Sequence, residues 1–249
     1  TTRRVQMTQD GLVFYERCKD ILADMDELQG LFQRDPAELT GRLRVDMPVG
    51  IARSIIMPRL AEFAEKYPHI DIEVSCTDRF VDLVREGFDC VLRVGALHDS
   101  TLVARRLGVL RQINCASPDY LARHGQPETL ADLARHQLVH YTPGLGGKPA
   151  GFEYQDADGA LHTVAMAGAL TVNATDAYTA ACLAGLGLIQ VPLAGVRGHL
   201  QRGELAPVLP DFPPPALPVH LLYPNRRHLP RRVRAWMDWL AEVMADYLA

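Results

Sequence analysis

The sequence predicts an α/β protein of two lobes behind one long helix. Three observations carry that prediction. Apolar residues step by four and three along the first segment, strands then alternate with helices in a βαβαβ succession, and a proline-rich stretch near the end leads into one further strand and helix. At 249 residues and 48% hydrophobic the chain can bury a large core, long for one domain and comfortable for two.

The first residues, Thr1 to Met7, read as a short basic strand with Arg3 and Arg4 and no initiator Met. Thr8 is the expected cap of a helix reaching Phe32, and Asp35-Pro36 ends it. Phe14, Cys18, Ile21, Met25, Leu28 and Phe32 form an a/d seam over nearly three heptads. Such a seam packs along another helix, so self-association as a dimer or tetramer is expected.

Leu43–Met47, Ile70–Cys76 and Asp89–Val94 alternate or run apolar as strands. Between them lie a helix over Arg53–Tyr67, kinked or started late at Pro58, and a short helix over Arg79–Glu86 closed by Gly87. Parallel pairing with right-handed crossovers follows. Leu102–Leu107 and Leu110–Ala116 read as strands broken at Gly108, followed by short helices at Pro118–His124 and Pro127–Ala134. Gln137–Tyr141 is a strand. Phe152–Gln155 and Leu161–Met166 flank the turn residues Asp156 to Gly159. Ala169–Asn173 and Gly187–Val191 are strands, Thr175–Ala184 and Pro192–Gln201 helices. Pro210–Pro218 is a crossing segment, followed by a strand at Val219–Tyr223 and an amphipathic helix at Pro230–Tyr247. The expected division is 1–7, a helix over 8–35, a first lobe over 42–117, a second over 118–215, and a return to the first over 216–249.

The net charge of −4 excludes a surface that binds nucleic acid throughout, which needs a Lys/Arg excess. The five cysteines are odd in number and lack CxxC spacing, as small buried thiols of a reducing compartment do. No apolar run approaches the roughly 20 residues of a membrane span, and no signal peptide is visible. Catalytic patterns are missing: the nine histidines show no HExxH spacing, and there is no P-loop and no GxSxG. Ser54 and Ser117 have no assignable base, and Asp156 and Asp158 read as turn residues beside Gly159. Neither catalysis, a metal nor a cofactor is expected.

The run Asp78-Arg79-Phe80-Val81-Asp82-Leu83-Val84-Arg85-Glu86-Gly87-Phe88-Asp89, with Val91 to Gly95 behind it, resembles LysR-type transcriptional regulators. So do Cys115 to Leu121, Leu183 to Ile189, and Tyr223 to Pro230. The resemblance covers essentially the whole chain in order. It implies a regulatory domain built like a periplasmic solute-binding protein, with 8–35 as the dimerising linker helix. Thr1 to Met7 would then be the tail of a winged helix-turn-helix, with Arg3 and Arg4 near DNA. The groove-reading helices of that head are not in the sequence, so this chain alone is not expected to read a DNA sequence. A cytoplasmic regulator follows. A solute-binding protein for transport, and an enzyme, are the rival readings on the same fold.

In open α/β sheets ligands bind beyond the carboxyl ends of strands. Val49, Gly50 and Ile51 follow the first strand and open a helix. Arg93 and Gly95 end the third strand, with Asp89 or Asp99 as alternative partners for the arginine. Tyr141, Asn173, Thr175 and Pro192 sit at strand ends of the second lobe. A small effector between the lobes is expected there, and Arg93 suits one with a carboxylate. Asn173 or Thr175 is expected to cap the helix that follows.

Overall fold

In the computed structural model the described residues are 8, 10, 11, 14, 15, 17, 18, 21, 22, 25, 39–79, 81–97, 102–144, 146, 150–224 and 229–249. Arg3, Arg4, Leu28 and Phe32, the remnant over 1–7 and the helix end at Asp35-Pro36 lie outside them.

The described positions from Asp10 to Met25 are helical, and the Gly11 amide donates to Thr8 Oγ1 at 3.1 Å, the cap expected there. Phe14, Ile21 and Met25 are exposed on this leading helix, while Cys18 is half-buried. Arg17 donates to the Val84 carbonyl at 2.6 Å.

Lobe I is built on β1 (Thr40–Met47). A helical run, α1, follows at once: an α-turn over Val49–Ile51, a π turn over Ala52–Ile56, a 3-10 turn over Met57–Arg59 and α-helix over Leu60–Lys66. It starts four residues before the expected Arg53, because Pro48 has the extended backbone that precedes a first turn. Pro58 lacks an amide hydrogen, and the helix accommodates it with the 3-10 turn. Then come β2 (His69–Cys76), α2 (Leu83–Glu86), β3 (Cys90–Val94) and β4 (Val103–Leu110). Helix α2 is shorter than expected; Asp82 caps it through the Arg85 amide, and Gly87 ends it at φ 72°. β4 continues past Gly108 with a bulge at Leu107, and the chain leaves the strand at Arg111.

Lobe II contains β5 (Gln112–Ala116), α3 (Pro118–His124), a 3-10 turn at Leu130–Arg135, β6 (His140–Tyr141), the hairpin β7 (Phe152–Gln155) and β8 (Leu161–Val164), β9 (Thr171–Val172), α4 (Thr175–Leu183), β10 (Ile189–Pro192), α5 (Leu193–Gln201) and β11 (Ala206–Pro207). The chain then returns to lobe I as β12 (Leu217–Tyr223) and α6 (Arg231–Ala245).

The lobe I sheet has the order β2-β1-β3-β12-β4. β1 pairs parallel with β2 (Val45 opposite Val74) and with β3 (Val45 opposite Cys90). β12 lies antiparallel to β3 and β4. β5 pairs with β10 and β11 rather than with this sheet. Residues 112–116, placed in the first lobe by the sequence division at 117, therefore belong by pairing to the second.

Helix α6 turns Val233, Trp236, Met237, Leu240, Val243 and Met244 toward the lobe I sheet, the spacing of one helix face. Trp236 meets Phe63 of α1 edge-on at 5.0 Å. In lobe II, neighbours along a strand go to opposite layers: Leu138 and Leu188 join one cluster, Val139 and Ile189 the other. Three cysteines (Cys90, Cys115, Cys182) are buried as expected, but Cys76 is exposed because β2 is an edge strand. No helix among the described residues is long and apolar enough to cross a membrane.

Candidate functional site

A cleft of about 200 Å³ lies between the lobes. Its lobe I wall comes from the ends of β1, β2 and β3 and the start of α1. Its lobe II wall comes from Tyr141, the first turn of α4 and the end of β10. Leu110, Gln112 and Leu217, where the chain crosses, form its floor at the hinge. The crossings are tied together: Gln112 Nε2 donates to the Pro215 carbonyl at 2.7 Å, and Asn114 Nδ2 to that of Phe212 at 2.8 Å. Ile51, Ile55, Val94, Leu110, Val191 and Leu217 make much of the lining apolar.

Six of the nine expected effector residues border this cleft: Gly50, Ile51, Arg93, Tyr141, Thr175 and Pro192. Val49, Gly95 and Asn173 do not. Val49 contributes a backbone amide beside the cleft, bonded to Asp78. Gly95 turns away at φ 99° with its amide on the Pro218 carbonyl, and Asn173 is exposed.

Arg93 is not the open anion holder that its strand-end position suggests. It is 7% exposed and donates to Asp46 Oδ2 at 2.6 Å and to the Leu92 carbonyl at 3.0 Å. Asp46 is fully buried and also accepts from Thr77 Oγ1 at 3.1 Å. The partner is thus Asp46, across the sheet, rather than Asp89, whose carboxylate takes the Arg44 amide. The two other arginines at the cleft are paired as well: Arg53 with Asp176 across the lobes at 3.1 Å, and Arg79 with Glu86 at 2.9 Å.

Neither Asn173 nor Thr175 caps α4. The cap position is Ala174, which has no side-chain acceptor. Asp78 supplies one from the other lobe. Its Oδ2 accepts from the Thr175 amide at 2.7 Å and from Thr175 Oγ1 at 2.9 Å, while its Oδ1 accepts from the Val49 amide at 3.1 Å. Gly50 lies close to this contact: a Cβ there would stand 3.3 Å from Thr175 Oγ1 and crowd it. The Tyr141 phenol, beside the same cleft, is pushed up to about 12, first by burial and then by the charge of Asp78.

Sequence reasoning missed Asp78, although the strand-end rule that selected Gly50 and Thr175 applies equally just beyond β2. It also missed Gln190. That side chain bonds Asn114 at 2.8 Å and both backbone groups of Glu153, so it fixes the hinge side of lobe II. Ser117, set aside as catalytic, caps α3 through the Tyr120 amide. Asp156 holds its turn by accepting from the Asp158 and Ala160 amides. Among the described residues no group of His, Cys, Asp and Glu is arranged to hold a metal.

Residues 36–245 match the family described as the LysR substrate binding domain. The chain is 48% identical over its whole length to the HTH-type transcriptional regulator YhjC of Escherichia coli K12, spanning 83% of that protein. It is 36% identical over 99% of its length to an HTH-type transcriptional repressor of Pseudomonas aeruginosa, spanning 77% of it. Among solved structures, CrgA, a LysR-type transcriptional regulator from Neisseria meningitidis, superposes with a TM-score of 0.72 at 28% identity, covering 98% of this chain and 82% of that one. The full-length virulence activator AphB of Vibrio cholerae gives 0.70 at 29%, covering 99% and 82%. Regulators rather than transport proteins are what this chain is similar to. Two lobes joined at a hinge, a cleft between them and a match that fills most of the sequence agree: the chain belongs to the LysR family of transcriptional regulators and carries its substrate-binding domain.

Proposed function

We infer that the interlobe cleft is the effector site of this regulator, and that occupancy sets the angle between the lobes. The observation that supports it is the makeup of the cleft. Both lobes wall an apolar cavity, and polar contacts, Asp78 to Thr175 and Arg53 to Asp176, cross it. A small molecule there shifts the population between lobe angles by its differential affinity for them. The residues that would meet it include Gly50, Ile51, Tyr141, Thr175 and Pro192. Arg93 holds the wall in shape.

The angle reaches DNA through the leading helix. Phe14, Ile21 and Met25 leave an apolar face on that helix, suited to the same helix of a second copy. DNA is bound by the helix-turn-helix head that gives such relatives their name, in the cytoplasm where the promoter is. The cleft needs no catalytic role in this reading.

The test is a thermal-shift screen of small metabolites on the chain and on Gly50→Trp. A binder at a hundredfold excess over its Kd stabilises the parent by about 2.7 kcal/mol. Gly50→Trp places a bulky ring in the cleft beside Thr175 and should abolish that gain while remaining folded. An unchanged gain in the folded variant would put the effector elsewhere.

A further inference from the structure

We propose that Asp78 is an interlobe latch: the chain's own carboxylate occupies the donors at the start of α4, so the cleft admits an anionic ligand only in exchange for Asp78, and the release moves the segment to which Arg17 of the leading helix bonds. This builds on the reading of the cleft as the effector site.

The latch is visible in its bonds. Asp78 stands in a bend after β2 of lobe I, and Thr175 is the first residue of a nine-residue helix in lobe II. One carboxylate takes three donors: the amide and hydroxyl of Thr175 and the amide of Val49. The start of a helix carries partial positive charge, which favours an anion. Hydrogen bonds to an ionised acceptor are roughly twice as strong as neutral ones. Without Asp78, α4 has no side-chain cap at all.

Selectivity follows from what remains. Arg53, Arg79 and Arg93 face the cleft, and each is engaged by an acid of the chain. An incoming carboxylate would lie against the negative Asp78 and find its best donors taken. An uncharged, largely apolar ligand meets no such obstacle.

The segment also reaches the leading helix. Arg79 and Glu86 form an ion pair at 2.9 Å that links the bend to α2. Asp82 caps α2, and the Val84 carbonyl of α2 accepts from Arg17 of the leading helix. Asp78 therefore touches lobe II, and Val84, six residues on, touches the leading helix. That contact gives a physical route from the cleft to the helix that would carry the DNA-binding head.

The experiment compares the chain with Asp78→Ala and Asp78→Asn, each checked for folding by circular dichroism. Small-angle scattering without ligand reads the latch alone. Both variants should give a larger radius of gyration, Asp78→Ala more than Asp78→Asn. Benzoate and its uncharged analogue benzamide are then titrated by NMR. Benzoate should bind Asp78→Ala at least tenfold more tightly than the parent, and benzamide should change little. Unchanged scattering, no gain for benzoate, or an equal gain for both probes overturns the latch. Gly50→Trp placed on Asp78→Ala separates the two readings. If benzoate still binds with the same gain, the cleft assignment fails; if scattering alone is unchanged, the latch fails and the cleft stands.

Discussion

The two lobes are made differently. Lobe I has one five-stranded sheet, a small cluster of Leu83, Phe88 and Val91, and one large core in which Phe63, Trp236 and Trp239 pack as a three-ring cluster with centroids 5.0–5.4 Å apart. Lobe II has shorter strands, several of only two residues, and two smaller cores on opposite sides of its sheet. Among the described residues its buried polar side chains are Asn114, Ser117, His136, His140 and Thr179, whereas lobe I buries the charged Asp46, Arg93 and Arg232. A wide core tolerates little change of shape, whereas a lobe knit by hydrogen bonds has cheaper local openings. Lobe I is thus expected to be the stiffer of the two and lobe II the softer. The chain carries its own probe of the difference. Both of its tryptophans, Trp236 and Trp239, lie in α6, so tryptophan fluorescence reports lobe I while far-ultraviolet circular dichroism reports both lobes.

Arg93→Ala tests the stiffer lobe and carries the largest expected effect. It leaves the Asp46 carboxylate fully buried, bonded among the described side chains to the Thr77 hydroxyl. Removing one member of a buried ion pair costs about 3–5 kcal/mol. The fluorescence midpoint in urea should fall well below the parent's. Replacing both members, Asp46→Leu with Arg93→Met, should restore most of the loss, because no buried charge is stranded. If the double variant is no better than the single one, shape rather than charge holds that corner.

Acid sharpens the comparison next. His136 and His140 of lobe II have pKa values below the ordinary range, in both cases chiefly from burial, with His124 and Arg135 adding to the effect at His136. In lobe I His220 is lowered too, by burial and then by Arg106. A depressed folded pKa means that the unfolded chain binds more protons below about pH 6.5. The stability these groups leave intact is therefore complete above that pH and is lost as pH falls beneath it. Ordinary carboxylates titrate lower and contribute little between pH 7.5 and 5.5. Among the described residues two such histidines stand in lobe II against one in lobe I, so lobe II should weaken more over that interval and the dichroism midpoint should drop more than the fluorescence midpoint. His136→Gln should flatten the slope. A steeper fall in fluorescence would reverse the assignment of the softer lobe.

Much of the fold was legible because it is local. Alternation over Leu43–Met47 and Ile70–Cys76, the apolar run before Val94, the turn chemistry of Asp156 to Gly159 and the stop at Gly87 each depend on neighbours in sequence. The strand-end rule likewise located six residues of the cleft. What it could not supply was pairing across distance. Arg93 looks like a ligand-holding arginine until Asp46, 47 residues away, is placed beside it. α4 looks self-capped until Asp78 arrives from the other lobe, 97 residues away. The early start of α1 depends on Pro48 leading into a turn whose first amide is also met by Asp78. Residue type at a strand end narrows the site, but only tertiary contact tells an occupied group from an open one.

Arg53→Ala carries the smallest expected effect, and its contrast with Arg93→Ala isolates burial as the cause. Both arginines border one cleft and both hold an aspartate, Arg53 at 3.1 Å and Arg93 at 2.6 Å. The Arg53 side chain is 52% exposed and that of Asp176 43%, against 9% and 0% for Arg93 and Asp46. The Asp176 Oδ1 that faces Arg53 is shielded, but the rest of both side chains is open to water and salt, so the pair's contribution stays near the range of about 0–1 kcal/mol measured for exposed pairs. Arg53→Ala should leave the fluorescence midpoint within error of the parent, since no charge is stranded in the core. Because the pair spans the lobes, any loss should appear instead as a small rise in radius of gyration, and it should vanish when the parent is compared in 1 M salt, where the Debye length is about 3 Å. A midpoint shift as large as that of Arg93→Ala would mean that the rim of the cleft, and not the sheet beneath it, sets the stability of lobe I.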